Sequence, residues 1–224
     1  MRIKEILHLF VDTVLPAVCP VCKNSAIKSP SPICQKCEIK LKLEPIPPNT
    51  ASNNLSVILS CRFYDSVTAN CIKQFKYSRQ SRFISIFDKL ILDTVSKNHS
   101  LFNTVDLAMA VPLHKTRRRE RGFNQAEIVA ESLSRVLAVP HSKNNLIKTK
   151  KTFPQNRLTR KQRINNLKNV FLITDPHGLS GKSVVLVDDV ITTGRTLDAC
   201  AENLLKAGAK KILGFTLARA VLKG

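Results

Sequence analysis

No stretch of this chain approaches the roughly 20 consecutive apolar residues that a membrane-spanning helix needs, which excludes a helical membrane protein. The GxxxxGK(S/T) spacing of a nucleotide P-loop is missing, and so is the GxGxxG of a dinucleotide fold, so neither of those phosphate sites is available. Acidic residues are scarce: 16 Asp and Glu stand against 36 Lys and Arg, for a formal charge of +20 and a pI near 10.0. A field of that sign attracts polyanions and repels other basic surfaces, which points to nucleic acid, phosphorylated small molecules or anionic lipid. A hydrophobic content of 43% over 224 residues fills the core of one ordinary domain with a small appendage and excludes global disorder.

The N-terminal MRIKEILHLFVDTVLP begins like an export signal, but Glu5 and Asp12 interrupt its apolar stretch. Ile3, Ile6, Leu7, Phe10 and Val14 recur at helical spacing, so an amphipathic helix packed on the next module is expected. Seven cysteines, an odd number without an export signal, fit a reducing cytoplasm better than a disulfide framework. Four of them, Cys19, Cys22, Cys34 and Cys37, form two CxxC pairs in CPVCKNSAIKSPSPICQKC. Two residues between thiolates let both sulfurs face one point, and two such knuckles supply the tetrahedral sulfur set of zinc; an iron–sulfur centre is the alternative, without independent support. Four protein ligands leave no open position, so a zinc here is structural and supplies folding free energy to a module too small to fold on a core alone. Cys61, Cys71 and Cys200 sit in apolar surroundings and are expected to be packed rather than reactive.

LEPIPPNTASNN, residues 43–54, breaks both periodicities and reads as a linker. We therefore expect an N-terminal helix and zinc module over residues 1–48 and a main domain over 49–224, with its first strand beginning near residue 55. In that domain strands are expected at LSVILSCRFY, VDLAMAVP, near 169–173, over the run that begins at Val184, and at KILGFTLAR. Helices are expected at TANCIKQFKY, ISIFDKLILDTVSK, NQAEIVAESLSRVLA and LDACAENLLKAG. Such alternation argues for an α/β fold, a mostly parallel sheet with helices on both faces, whose ligands bind beyond the carboxyl ends of the strands. Two loops leave those ends: VPLHKTRRRERGFNQ and DDVITTGRT.

VVLVDDVITTGRTL, residues 184–197, is an apolar strand that reaches two acids and then a hydroxyl-rich turn into a helix. Backbone N–H groups at a helix start converge on an anion, and Gly194 allows close approach. Carboxylates accept hydrogen bonds from vicinal sugar hydroxyls, so Asp188 and Asp189 holding a ribose with its 5′-phosphate in the threonine loop would satisfy every group. This stretch resembles the phosphoribosyl pyrophosphate (PRPP) motif of the type I phosphoribosyltransferases. Together with the four-cysteine module, FKYSRQSRF and VPLHKTRRRERGFNQA, the chain is similar throughout its length to the ComF family, whose members act in natural competence. The resemblance implies a type I phosphoribosyltransferase-like sheet and PRPP binding with Mg²⁺. Asp188 and Asp189 match the ribose acids; Thr192, Thr193, Gly194, Arg195 and Thr196 match the 5′-phosphate loop. Val111, Pro112 and Leu113 fall where the family has its pyrophosphate loop, and Arg117, Arg118, Arg121 and Gly122 follow as anion partners. Arginine forks suit phosphate oxygens, so the bare residues agree. Thr192 stands where purine-salvage relatives carry a carboxylate, and a threonine hydroxyl cannot act as a base near neutral pH. A competence accessory protein that binds PRPP is therefore the leading expectation; an active PRPP-dependent transferase with an unidentified small-molecule acceptor is the alternative.

From Pro112 to Lys168 fifteen bases face three acids, which accounts for twelve of the twenty excess charges. One phosphosugar does not need this; a polyphosphate backbone does. TKKTFPQNRLTRKQR, with Lys150, Lys151, Arg157, Arg160, Lys161 and Arg163, has a single aromatic, Phe153, so it is expected to track single-stranded DNA with little sequence preference. Family resemblance implies the same partner, in DNA uptake, with contact to the uptake machinery.

Overall fold

The computed structural model describes residues 18–24, 27, 31–41, 46–49, 53–77, 83–150 and 170–221. The expected N-terminal helix lies outside them. In chain order the elements are α1 (Gln35–Leu41), β1 (Val57–Phe63), α2 (Ser66–Tyr77), α3 (Ile84–Lys97), α4 (His99–Phe102) and β2 (Leu107–Ala110). There follow α5 (Lys115–Arg121), α6 (Gln125–Leu137), β3 (Leu146–Lys148), β4 (Phe171–Ile173), β5 (Ser183–Ile191), α7 (Arg195–Lys206) and β6 (Lys211–Arg219).

Two compact units divide the chain, one of Met1–Glu44 with Asp65–Ile86 and one of Pro45–Tyr64 with Phe87–Gly224. In the smaller unit α1 packs on α2, and α2 clasps the first cysteine knuckle: Asn70 Nδ2 donates to the Val21 carbonyl at 3.1 Å and Gln74 Nε2 to that of Pro20 at 3.4 Å. The linker-based boundary at 48/49 differs from this division, because it gives α2 to the main domain. A chain excursion that returns to an earlier module carries no local signal.

The larger unit holds a four-stranded parallel sheet in the order β1-β6-β5-β2. Strands in the middle of such a sheet are covered on both faces and therefore read as unbroken apolar runs. Val184 and Leu186 join one core cluster with Leu197, Cys200 and Leu204 of α7. Val185 and Val187, equally buried, point the other way by the two-residue period of a strand, onto the face where α6 packs against β2 and β5. The α/β sheet with helices on both faces is thus the observed architecture. A separate antiparallel pair, β3 with β4, brackets residues 151–169. Its base is tied down by Asn145, whose side chain accepts from the Asp175 N–H at 2.6 Å and donates to the Asp175 carbonyl at 2.9 Å. At three residues β3 is too short to show a period, which is why its sequence reads as a loose basic segment.

Candidate functional site

β2 and β5 are neighbours, with Ala110 opposite Val187, so the two loops singled out in the sequence leave adjacent strands at the same edge of the sheet. The β5 strand does not stop at the acids: Val190 and Ile191 still pair with Ala218 and Arg219 of β6. Asp188 and Asp189 therefore sit within the strand, both half-buried, and successive side chains of a strand face opposite sides. Asp188 shares the face of Val184 and Leu186, and its Oδ1 accepts the Asp189 N–H at 2.8 Å.

The threonine loop follows. Thr192 and Thr193 are exposed; Gly194, Arg195 and Thr196 are half-buried. Gly194 takes φ +75° directly before α7, a left-handed turn that points the first N–H groups of the helix out of the strand end. Within the protein, the buried Nη1 of Arg195 has no hydrogen-bond partner.

On the β2 side, the Val111 N–H donates to the Val187 carbonyl at 2.8 Å and the Val111 carbonyl accepts Asn124 Nδ2 at 3.0 Å. These bonds hold the start of the loop, and Pro112 and Leu113 follow half-buried. The basic stretch expected as loop is instead the helix α5. Lysine and arginine are good helix formers, His114 Nδ1 caps the start by accepting the Thr116 N–H at 3.3 Å, and Gly122 ends it at φ +80°. Arg117 and Arg118 are exposed, and Arg118 pairs with Glu127 at 2.7 Å. Arg121 donates to Gln125 Oε1 at 3.2 Å. Lys148 is the residue the sequence did not single out. Burial pushes its amine below the usual lysine value, opposed by Cys200 and Asp188 and reinforced by Arg117, and its Nζ lies 5.6 Å from the Phe171 ring centre. Only the pairing of β3 with β4, invisible in three residues, could have revealed it. Lys150 is exposed; Lys151, Arg157, Arg160, Lys161 and Arg163 lie outside the described residues.

In the smaller unit the four cysteine sulfurs all lie within 4.8 Å of one another. Cys19 and Cys37 sulfurs are 3.9 Å apart and those of Cys22 and Cys34 are 3.7 Å apart. Sulfurs held about 2.3 Å from a tetrahedral zinc are about 3.8 Å from each other, so the donor set and spacing fit that ion. The Cys34 N–H donates to Cys19 Sγ at 3.4 Å, and Lys23 turns the first knuckle at φ +59°. The Asn24 N–H lowers the Cys22 thiol to about 6, whereas burial raises that of Cys37. The other three cysteines are packed as expected: burial pushes Cys61 and Cys71 up to about 12 and Cys200 well above its ordinary value.

A family model for the phosphoribosyl transferase domain matches residues 122–220. The chain is 29% identical over 207 residues to the DNA utilization protein YhgH of Escherichia coli, covering 90% of each. It is 36% identical over 153 residues to competence protein F of Haemophilus influenzae, covering 66% of each. Against competence protein ComFC of Bacillus subtilis it is 29% identical over 204 residues, 90% of this chain and 78% of that one. The parallel sheet, with its acids and threonine loop beyond β5, is a type I phosphoribosyltransferase domain. With the four-cysteine cluster ahead of it and these relatives along its length, the chain belongs to the ComF family.

Proposed function

We propose that this protein acts in the uptake of DNA during natural transformation, binding PRPP on its main domain and single-stranded DNA on its basic segment. The observation that carries the PRPP reading is the meeting of two half-buried carboxylates, a helix start opened by Gly194 and the Val111–Leu113 loop on adjacent parallel strands. The relatives' names, competence protein and DNA utilization protein, support the role in DNA uptake. In this reading Asp188 and Asp189 accept the ribose hydroxyls, residues 192–196 donate to the 5′-phosphate, and Arg117 and Arg121 face the pyrophosphate. Mg²⁺ would arrive with PRPP and neutralise part of its phosphate charge. Zinc in the cysteine cluster is structural, and the free thiols of Cys61, Cys71 and Cys200 fit work in the reducing cytoplasm. No helix among the described residues is long and apolar enough to cross a membrane. Contact with the uptake machinery completes the proposal.

Titration with PRPP and Mg²⁺, followed by a pyrophosphate-release assay with and without single-stranded DNA, tests it. Asp188→Asn with Asp189→Asn should weaken PRPP binding at least about tenfold, since hydrogen bonds to charged groups contribute about 1.5–3 kcal/mol each. An unchanged dissociation constant removes the ribose assignment. The single variants Asp188→Asn and Asp189→Asn measure how much each acid contributes to holding the sugar. Release of pyrophosphate dependent on an acceptor would favour the transferase reading instead.

A further inference from the structure

Residues 151–169 are framed by β3 and β4, and both ends of that frame are fixed beside the proposed PRPP site. Lys148 stands opposite Phe171 in the antiparallel pair, and beyond it the Thr149 N–H and hydroxyl both donate to the Val170 carbonyl, at 2.8 and 3.1 Å. Val170 and Phe171 are buried in the core cluster that holds Leu197 and Cys200 of α7, the helix that starts at the threonine loop. Lys148 and Thr149 line a cleft of about 460 Å³ together with Pro112 and Leu113 of the loop after β2.

Lys148 joins the two regions electrically. It is half-buried, its ammonium lies 5.6 Å from the centre of the Phe171 ring, and Asp188 attracts it while Arg117 repels it. One of those neighbours is a proposed ribose acid and the other a proposed pyrophosphate partner. Lys148 also opens a run of eight bases without an acid that extends to Thr174. This cation belongs to the PRPP site by position and to the basic segment by sequence.

Charges more than about 10 Å apart are largely screened at 0.1 M salt, so a DNA strand held on a distant face would leave PRPP binding untouched. A strand that follows the basic segment to its root brings phosphates to the cations of the PRPP site. One ammonium cannot serve both sets of phosphates, and two polyanions drawn to one patch repel each other.

We propose that PRPP and single-stranded DNA bind this protein antagonistically, through cations at the root of β3 and β4 that both ligands use, Lys148 first among them. PRPP then releases a strand, and a bound strand lowers the affinity for PRPP. Such linkage rests on the proposed binding of each ligand alone and adds its sign.

Anisotropy of a labelled oligodeoxythymidylate on the full-length, zinc-loaded protein, titrated at fixed concentrations of Mg²⁺ and PRPP, reads the linkage from one side. Calorimetry of PRPP with and without the unlabelled strand reads it from the other. Saturating PRPP should weaken strand binding at least about fivefold, beyond the effect of sodium sulfate at matched ionic strength. A saturating strand should weaken PRPP binding by the same factor, since linkage is reciprocal. The factor should shrink as salt is raised from about 50 to about 300 mM. Lys148→Met, which loses the charge, should bring the factor towards one, and Lys148→Arg should keep it. A merely structural lysine would change stability or both affinities without changing that ratio. Two ligands bound with no effect on each other, mutual strengthening, or a factor unchanged in Lys148→Met would overturn the proposal while leaving each binding assignment in place. Failure of PRPP or of the strand to bind by itself would remove the functional reading, and this linkage with it. Should Lys148→Met not fold, the wild-type protein decides: a factor of one, or a factor indifferent to salt, overturns the antagonism.

Discussion

At the scale of single residues, His141 links burial to pH. Burial first and Lys143 second pull its pKa below the ordinary 6.5, against weaker opposition from Glu131 and Glu127. The unfolded chain therefore binds the proton more readily than the folded one below 6.5, and stability rises with pH through that window. Acidifying from about pH 7.5 to about pH 5.5 should cost the wild type more stability than it costs His141→Phe, read as the difference between their denaturation midpoints. Thr192 decides by what it lacks. Exposed at the head of the loop, its hydroxyl can bond a phosphate oxygen but cannot take a proton from an incoming base near neutral pH.

At the scale of elements, two local devices carry the sites. Gly194 joins β5 to α7 in the left-handed region, and a Cβ there would meet only the Ile191 side chain, at 3.4 Å and beyond, an ordinary contact. Conformation rather than space is the obstacle, so Gly194→Ala should cost about 1–2 kcal/mol in urea unfolding and weaken PRPP binding together. The cysteine cluster is the second device. Purified protein should carry about one zinc per chain, and chelation or Cys34→Ser should remove amide protection from α1 and α2 while the parallel sheet keeps its own. A metal-free protein with α1 and α2 still protected refutes the structural zinc. Equal loss across β5 and β6 would show instead that the two units unfold as one.

At the scale of the whole molecule, the excess of positive charge is larger than any small ligand requires. If the bases between 143 and 163 follow a phosphate backbone, log affinity for single-stranded DNA should fall with log salt at a slope of about −0.7 per phosphate contacted. Charge reversal at Arg157, Arg160 and Arg163 should lower affinity for all sequences alike and flatten that slope by about 2, with PRPP binding intact. Filter binding across a salt series measures both. Wild-type DNA uptake by a variant that no longer binds DNA would refute the role.

Whatever depends on neighbours in the chain was legible before any fold was known. The apolar run to Val187 announced a covered parallel strand, Gly194 with its threonines announced the turn into α7, and the two CxxC pairs announced a tetrahedral sulfur cluster. Each is a pattern of a few residues whose chemistry is local. The helix α5 obeys local rules as well, with a His114 cap and a Gly122 stop, yet its run of charge reads as a loop in the sequence. Tertiary structure alone decided the rest. It seated α2 beside the cysteine knuckles and paired the three residues of β3 with β4. It also buried both ring nitrogens of the half-exposed His141, on the wall of a cleft that Lys143 and Lys148 line too. Those outcomes turn on which distant segments meet, and burial, pKa and unsatisfied hydrogen bonds are properties of that meeting rather than of any stretch of sequence.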